Sequence, residues 1–166
     1  MRLSPLILVF GLAASSMSVP GVSQRPDDQL SPKSVALVRQ GEASAAAGKY
    51  AEADDAFETA LAVDPRNRAA FVAMARVASK EKLYGQAIRY TSKALLLEPT
   101  DRSAFAVQGQ AMVELGALGK AKEVLTKLQA LCTTGCPEAA TLSAAIARGP
   151  TMAAAKPTEK VKTKTN

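Results

Sequence analysis

GKYAEADDAFETALAVDPRNRAAF, residues 48–71, and KLYGQAIRYTSKALLLEPTDRSAF, residues 82–105, are two versions of one design. Overlaid at a shift of 34 residues, Tyr50 falls on Tyr84, Ala53 on Ala87, Ala60-Leu61 on Ala94-Leu95, Pro65 on Pro99 and Ala70-Phe71 on Ala104-Phe105. Aromatic, small and turn-forming positions keep step together, which requires each copy to build the same local structure. Within each copy the apolar residues recur at intervals of three and four, the spacing of one helix face. A glycine or its stand-in separates two such runs, and proline, which cannot continue a helix, closes the second. Each copy therefore reads as helix, turn, helix.

Placing Pro65 at the second-last turn position sets the units at 34–67, 68–101 and 102–133, with helices expected near 33–47, 51–63, 68–81, 84–97, 102–115 and 118–131. The third unit is the most altered. It keeps Phe105, Gly109, Gly116 and Ala121, but Leu118 replaces the tyrosine, Leu128 an alanine, and Thr133 stands where proline should recur. Gly48 and Gly116 suit a turn that needs a left-handed backbone. Gly41 and Gly109 lie inside first helices, where glycine costs about 1 kcal/mol against alanine; a close helix approach is the expected compensation, with Ala53, Ala87 and Ala121 opposite. An alanine-rich bundle of another kind is the alternative.

A 34-residue unit with small residues at its helix crossings and proline after its second helix resembles the tetratricopeptide repeat, here over roughly residues 34–131. The first unit carries Leu37, Gly41, Gly48, Tyr50, Ala53, Phe57, Ala60 and Pro65, while the second departs from the family pattern at Ala75, Lys82 and Thr91. The resemblance implies an all-α solenoid of about three helix-turn-helix units plus a C-terminal capping helix, and a partner-binding role. It further implies that the first helices line a concave groove. The groove positions are Val35, Val38, Arg39, Glu42 and Ala46 in the first unit, Ala69, Val72, Ala73, Arg76 and Lys80 in the second, and Ser103, Ala106, Val107 and Gln110 in the third; Val38, Arg39, Glu42, Val72, Arg76, Lys80, Val107 and Gln110 are the eight candidate partner-binding residues. That surface is mostly apolar with a basic centre. The family's best-known variant grips a peptide's terminal carboxylate through lysine and asparagine, at positions held here by Val38, Glu42, Ala73, Ser103 and Val107. None of these can do so, whereas an amphipathic helix or extended segment in the groove stays open.

The ends differ from the body. Arg2, the apolar run Leu6–Ala14 and the small residues that follow have the layout of a secretory signal, expected over 1–23 with cleavage after Ser18 or Ser23. The run is too short to span a bilayer, which takes about 20 apolar residues. A soluble exported protein is predicted, in the periplasm of a Gram-negative bacterium, with a linker over 24–33 and the repeat domain over 34–148. Residues 149–166, with Lys156, Lys160, Lys162 and Lys164 against Glu159 alone, are expected to be a disordered basic tail. Of the net charge of +6, the tail holds +3 and residues 24–148 only +2. The body is nearly neutral; the tail's four lysines could graze an anionic membrane or nucleic acid, but without aromatic residues they read as a solubilising end, and the resemblance implies a protein or peptide ligand and no nucleic acid.

Cys132 and Cys136 sit where the third unit departs from its pattern. Helical spacing of four puts Cα atoms within the roughly 4.4–6.8 Å a disulfide tolerates, and an exported address favours oxidation. The pair is read as a staple into a capping helix over 137–148, with Ala140, Leu142, Ala145 and Ile146 on its inner side. A thiol-exchange or copper-handling role for Cys132 and Cys136 is the competing reading, although the spacing is not that of a Cys-x-x-Cys redox site and no histidine or methionine cluster adjoins it. The chain contains no histidine, which removes Ser-His-Asp and Cys-His sites and most zinc arrangements. Asp54, Asp55 and Glu58 read as a solvated helix face. No enzyme activity, cofactor or metal is expected.

Overall fold

The computed structural model describes residues 29–132 and 135–151, which form seven α-helices and no strand. These are α1 (Pro32–Ala46), α2 (Tyr50–Val63), α3 (Arg68–Lys80), α4 (Tyr84–Leu97), α5 (Arg102–Glu114), α6 (Leu118–Ala130) and α7 (Pro137–Arg148). The proposed signal, residues 24–28 of the linker and residues 152–166 of the tail lie outside the described residues. The linker expected to reach residue 33 ends at Ser31, because Pro32 occupies the first helical turn, where a missing N–H costs no hydrogen bond.

Turn chemistry sets the path. Gly48 (φ 77°) and Gly116 (φ 74°) take the left-handed conformation between the helices of units one and three, and Lys82 (φ 63°) does so in unit two. Successive helices pack antiparallel across these short connections. In addition, α1 packs on α3, α3 on α5 and α5 on α7, whereas α2, α4 and α6 do not pack on one another. Odd-numbered helices therefore form an inner layer and even-numbered helices an outer, splayed one, so the stack curves with its odd-helix side concave. This is the predicted all-α solenoid, closed by α7.

Alanine dominates the core because helices that cross at small residues approach closely. Ala53, Ala60, Ala70, Ala75, Ala87, Ala94, Ala104 and Ala121 are all fully buried. Gly41 and Gly109 meet a different partner from the one expected. A Cβ on Gly41 would lie 2.4 Å from the Phe57 ring, and one on Gly109 would lie 2.5 Å from Leu142 of α7, so the close approach comes from large side chains rather than from Ala53 and Ala121. In α7 the inner face is Ala139, Leu142 and Ala145, with Ile146 partly buried; Ala140, expected inside, is exposed. At 100° per residue, Ala139 shares the Leu142–Ile146 face and Ala140 lies off it.

Two buried carboxylates fix the chain around helix starts. Asp101, the last residue of unit two, caps α5 of unit three, accepting from the Ala104 N–H at 3.0 Å and the Ser103 hydroxyl at 2.6 Å, and pairs with Arg68 at the start of its own unit. Burial raises the Asp101 pKa, but these donors and the Arg68 charge outweigh it and hold the carboxyl below its usual range. Asp64 is held low as well, chiefly by the Ser31 N–H and then by Arg66.

Candidate functional site

The concave face carries two adjoining clefts. The first, about 310 Å³, opens between α1 and α3 and is lined by Glu42, Ala45 and Ala46 of α1, Tyr50 and Phe57 of α2, and Ala73, Arg76, Val77 and Lys80 of α3. Its floor is apolar, closed by Phe57 at 1% exposed and Val77 at 2%. Its rim is charged, with Glu42 on the α1 side and Arg76 and Lys80 on the α3 side, all three exposed. The second cleft, about 230 Å³, lies among α3, α4, α5 and α7 and is lined by Ser79, Lys80, Tyr84, Gln110, Ala111, Glu114, Arg148 and Thr151. Lys80 borders both.

Of the eight candidate partner-binding residues, Glu42, Arg76 and Lys80 come together on one rim and Gln110 faces the neighbouring cleft, while Ala46 and Ala73, also expected in the groove, line the first cleft. Arg39 is exposed but lines neither. Val38 and Val72 are core residues, 6% and 3% exposed. Val38 is enclosed with Phe57, Ala70, Ala73 and Met74, and Val72 with Ala94 and Ala104. The alanines on the facing helices bring the backbones close enough to swallow both valines. Val107 is partly buried against Ala75, Ala78 and Ala104.

Tyr50 and Tyr84 begin second helices, and neither was expected in the groove, yet each lines a cleft. Their recurrence at equivalent positions was the available signal. Glu114 was also missed. It accepts from the Thr151 N–H at 2.9 Å and hydroxyl at 2.6 Å and lies 3.9 Å from Arg148, so the chain leaving α7 is held at the edge of the second cleft. No sequence pattern announces a contact across 37 residues.

Charge is distributed unevenly among cations. Lys49 pairs with Glu52, Arg66 with Asp64, Arg68 with Asp101 and Arg148 with Glu114, whereas Arg76 and Lys80, like Arg39, Arg89 and Arg102, join no ion pair among the described residues; Arg76 and Lys80 differ from those three in lining an apolar cleft. A third polar hollow, bordered by Arg68, Glu98, Asp101 and Ser103, belongs to a unit junction whose groups bond to one another. Cys132 and Cys136 are joined as a disulfide with Cα atoms 5.7 Å apart, just after α6 and just before α7. Among the described residues no three His, Cys, Asp or Glu side chains gather as a metal site, and no helix is long and apolar enough to cross a membrane.

Residues 44–111 match the family model of the tetratricopeptide repeat. No curated protein matches the chain. Solved structures do. The first such domain of Spaghetti (RPAP3), bound to the HSP90 peptide SRMEEVD, is 24% identical with a TM-score of 0.64, covering 70% of this chain and 91% of that one. The second domain of human RPAP3, in complex with the HSP70 peptide SGPTIEEVD, is 26% identical with a TM-score of 0.63, covering 69% and 95%. The Sgt2 domain from Aspergillus fumigatus is 24% identical with a TM-score of 0.65, covering 71% and 79%. The fold is accordingly that of a tetratricopeptide-repeat solenoid.

Proposed function

We propose that these repeats form a non-catalytic scaffold that binds a protein or peptide along the concave face of α1, α3 and α5, and that the protein works after export, in the envelope of a Gram-negative cell. The observation that carries the binding role is the apolar cleft between α1 and α3, whose rim holds two cations that join no ion pair among the described residues. Pockets built this way, apolar inside with a few placed polar groups, are the usual form of a binding site. The second domain of human RPAP3 supports it, since it has the same fold and is in complex with an HSP70 peptide. The absence of histidine from the sequence supports a non-catalytic role. The signal-like N-terminus and a disulfide support an oxidising compartment.

Site-directed photocrosslinking tests the binding role. A photoreactive residue at Ala46, exposed and lining the cleft, should trap a partner in cells, whereas one at Leu96, 83% exposed on α4, should not. Equal trapping from both positions would move the interface off the concave face. Export is tested by fractionation: the chain should appear in the periplasm with its first residues removed, and deletion of residues 1–23 should leave it in the cytoplasm.

A further inference from the structure

Resting on that reading, we propose that the groove's occupant is an internal acidic segment, presenting an apolar side chain to the α1–α3 cleft and a carboxylate to Arg76 and Lys80, with no requirement for a free C-terminus. The apolar socket and the cations are contiguous. Val77, on the cleft floor, follows Arg76 directly, and Lys80 stands one helical turn beyond Arg76 on α3. A turn rises about 5.4 Å, so the matching ligand element is an apolar residue with an acid within about four residues of it.

Three observations select an acid over other partners. Arg66, Arg68 and Arg148 are neutralised by carboxylates of this chain, whereas Arg76 and Lys80 have no such partner among the described residues. Lys80 borders both clefts, so a carboxylate there can be met from either. A basic ligand, including one resembling residues 156–164 of this chain, would face these two cations across an apolar surface with no compensating charge except Glu42. Nothing in this lining singles out a terminal carboxylate. Ala73 in the same lining offers no further side-chain donor, and Glu42 repels a second negative charge, so the site needs only one carboxylate, which a side chain supplies as well as a terminus and without adding another. A single internal carboxylate can sit on the α3 side and avoid Glu42.

The test is selection from a library of random twelve-residue peptides displayed inside a carrier loop, so that no terminus is free, against the purified protein and its R76E/K80E variant. The wild type should enrich sequences pairing Leu, Met, Phe or Val with Asp or Glu within four residues. Synthesised with blocked ends, an enriched peptide should bind the variant about tenfold or more weakly, as expected when two exposed pairs turn repulsive. Its free-acid form should bind the wild type no better, and the variant should melt with the wild type. Enrichment of lysine-rich sequences would assign the groove to segments like this chain's own C-terminal residues and overturn the proposal. Acid-independent enrichment, affinity unchanged in R76E/K80E, or tighter binding of the free acid would also overturn it while leaving peptide binding intact. If the wild type enriches nothing, the groove-binding reading itself falls.

Discussion

Gly41→Ala should destabilise the protein, and the second unit shows how the damage can be undone. A Cβ on Gly41 would stand 2.4, 2.7 and 2.9 Å from three carbons of the Phe57 ring. Ordinary carbon contacts need about 3.5–4.0 Å, so the ring, 1% exposed and packed in the core, must shift by about 1 Å out of that packing towards the cleft it floors. Overpacking of this kind costs about 1–3 kcal/mol, against about 1 kcal/mol gained by replacing glycine with alanine in a helix. The net expectation is a loss of up to about 2 kcal/mol. At the equivalent positions of the second unit the chain places Ala75 and Thr91, both fully buried: one methyl more on the first helix, a much smaller side chain on the second.

Phe57→Thr alone should therefore be costly, about 3–5 kcal/mol by analogy with deletion of a buried ring. In that background Gly41→Ala should turn stabilising, because the clash is gone and the propensity gain remains. Urea melts of the wild type, the two single variants and the double variant give the coupling energy, expected at about 1–3 kcal/mol in the favourable direction. If Gly41→Ala has the same effect in the wild type as in the Phe57→Thr background, the ring is not what reserves position 41 for glycine.

Gly116→Ala should cost about 1 kcal/mol through its left-handed backbone alone, since nothing lies within 4 Å of the new Cβ, whereas Lys82→Gly should gain up to that amount; opposite shifts in thermal midpoint would show it. Asp64 and Asp101, held low in the folded state, contribute stability that is present above about pH 4 and lost as pH falls through their folded pKa values. Asp54 works the other way: burial first, then Glu81, Glu58 and Asp55, raise its pKa, so ionisation opposes folding at neutral pH. Asp54→Asn should accordingly stabilise the protein at pH 7 more than at pH 3 in urea melts, and equal effects at both would contradict that sign. Reduction of the Cys132–Cys136 disulfide should cost about 2 kcal/mol for so short a loop, with hydrogen-exchange protection falling in α7 before α1–α4.

Helix positions were legible because they depend on properties internal to a unit. Periodicity and turn residues placed α2 within one residue of its observed span and α4 on it, with Gly48 and Gly116 at left-handed turns. Lys82 shows the limit of residue type as a guide: the turn keeps its geometry although glycine is absent, since the flanking helices dictate the backbone. Contacts between units were harder to read, because they depend on pairs of side-chain volumes from different parts of the chain. Nothing in the α5 sequence says that Leu142, rather than Leu125 of its own unit, fills the space over Gly109.

The groove residues divide along the same line. Val38 and Glu42 are one turn apart on α1, and both occupy first-helix positions, yet one is core and the other rim. The difference comes from what faces them. Opposite Val38 the neighbouring helix offers Ala70 and Ala73, and the helices close over it. Towards the ends of α1 and α3 the cleft is lined by Tyr50 and Phe57 of α2 together with residues of both first helices. The accessible lining therefore concentrates in the last turns of α1 and α3, from Glu42 to Ala46 and from Arg76 to Lys80. Tyr84 stands at the equivalent place for the second cleft. An aromatic residue after the turn thus lines a cleft in each of the first two units, on the surface that the proposed ligand would meet.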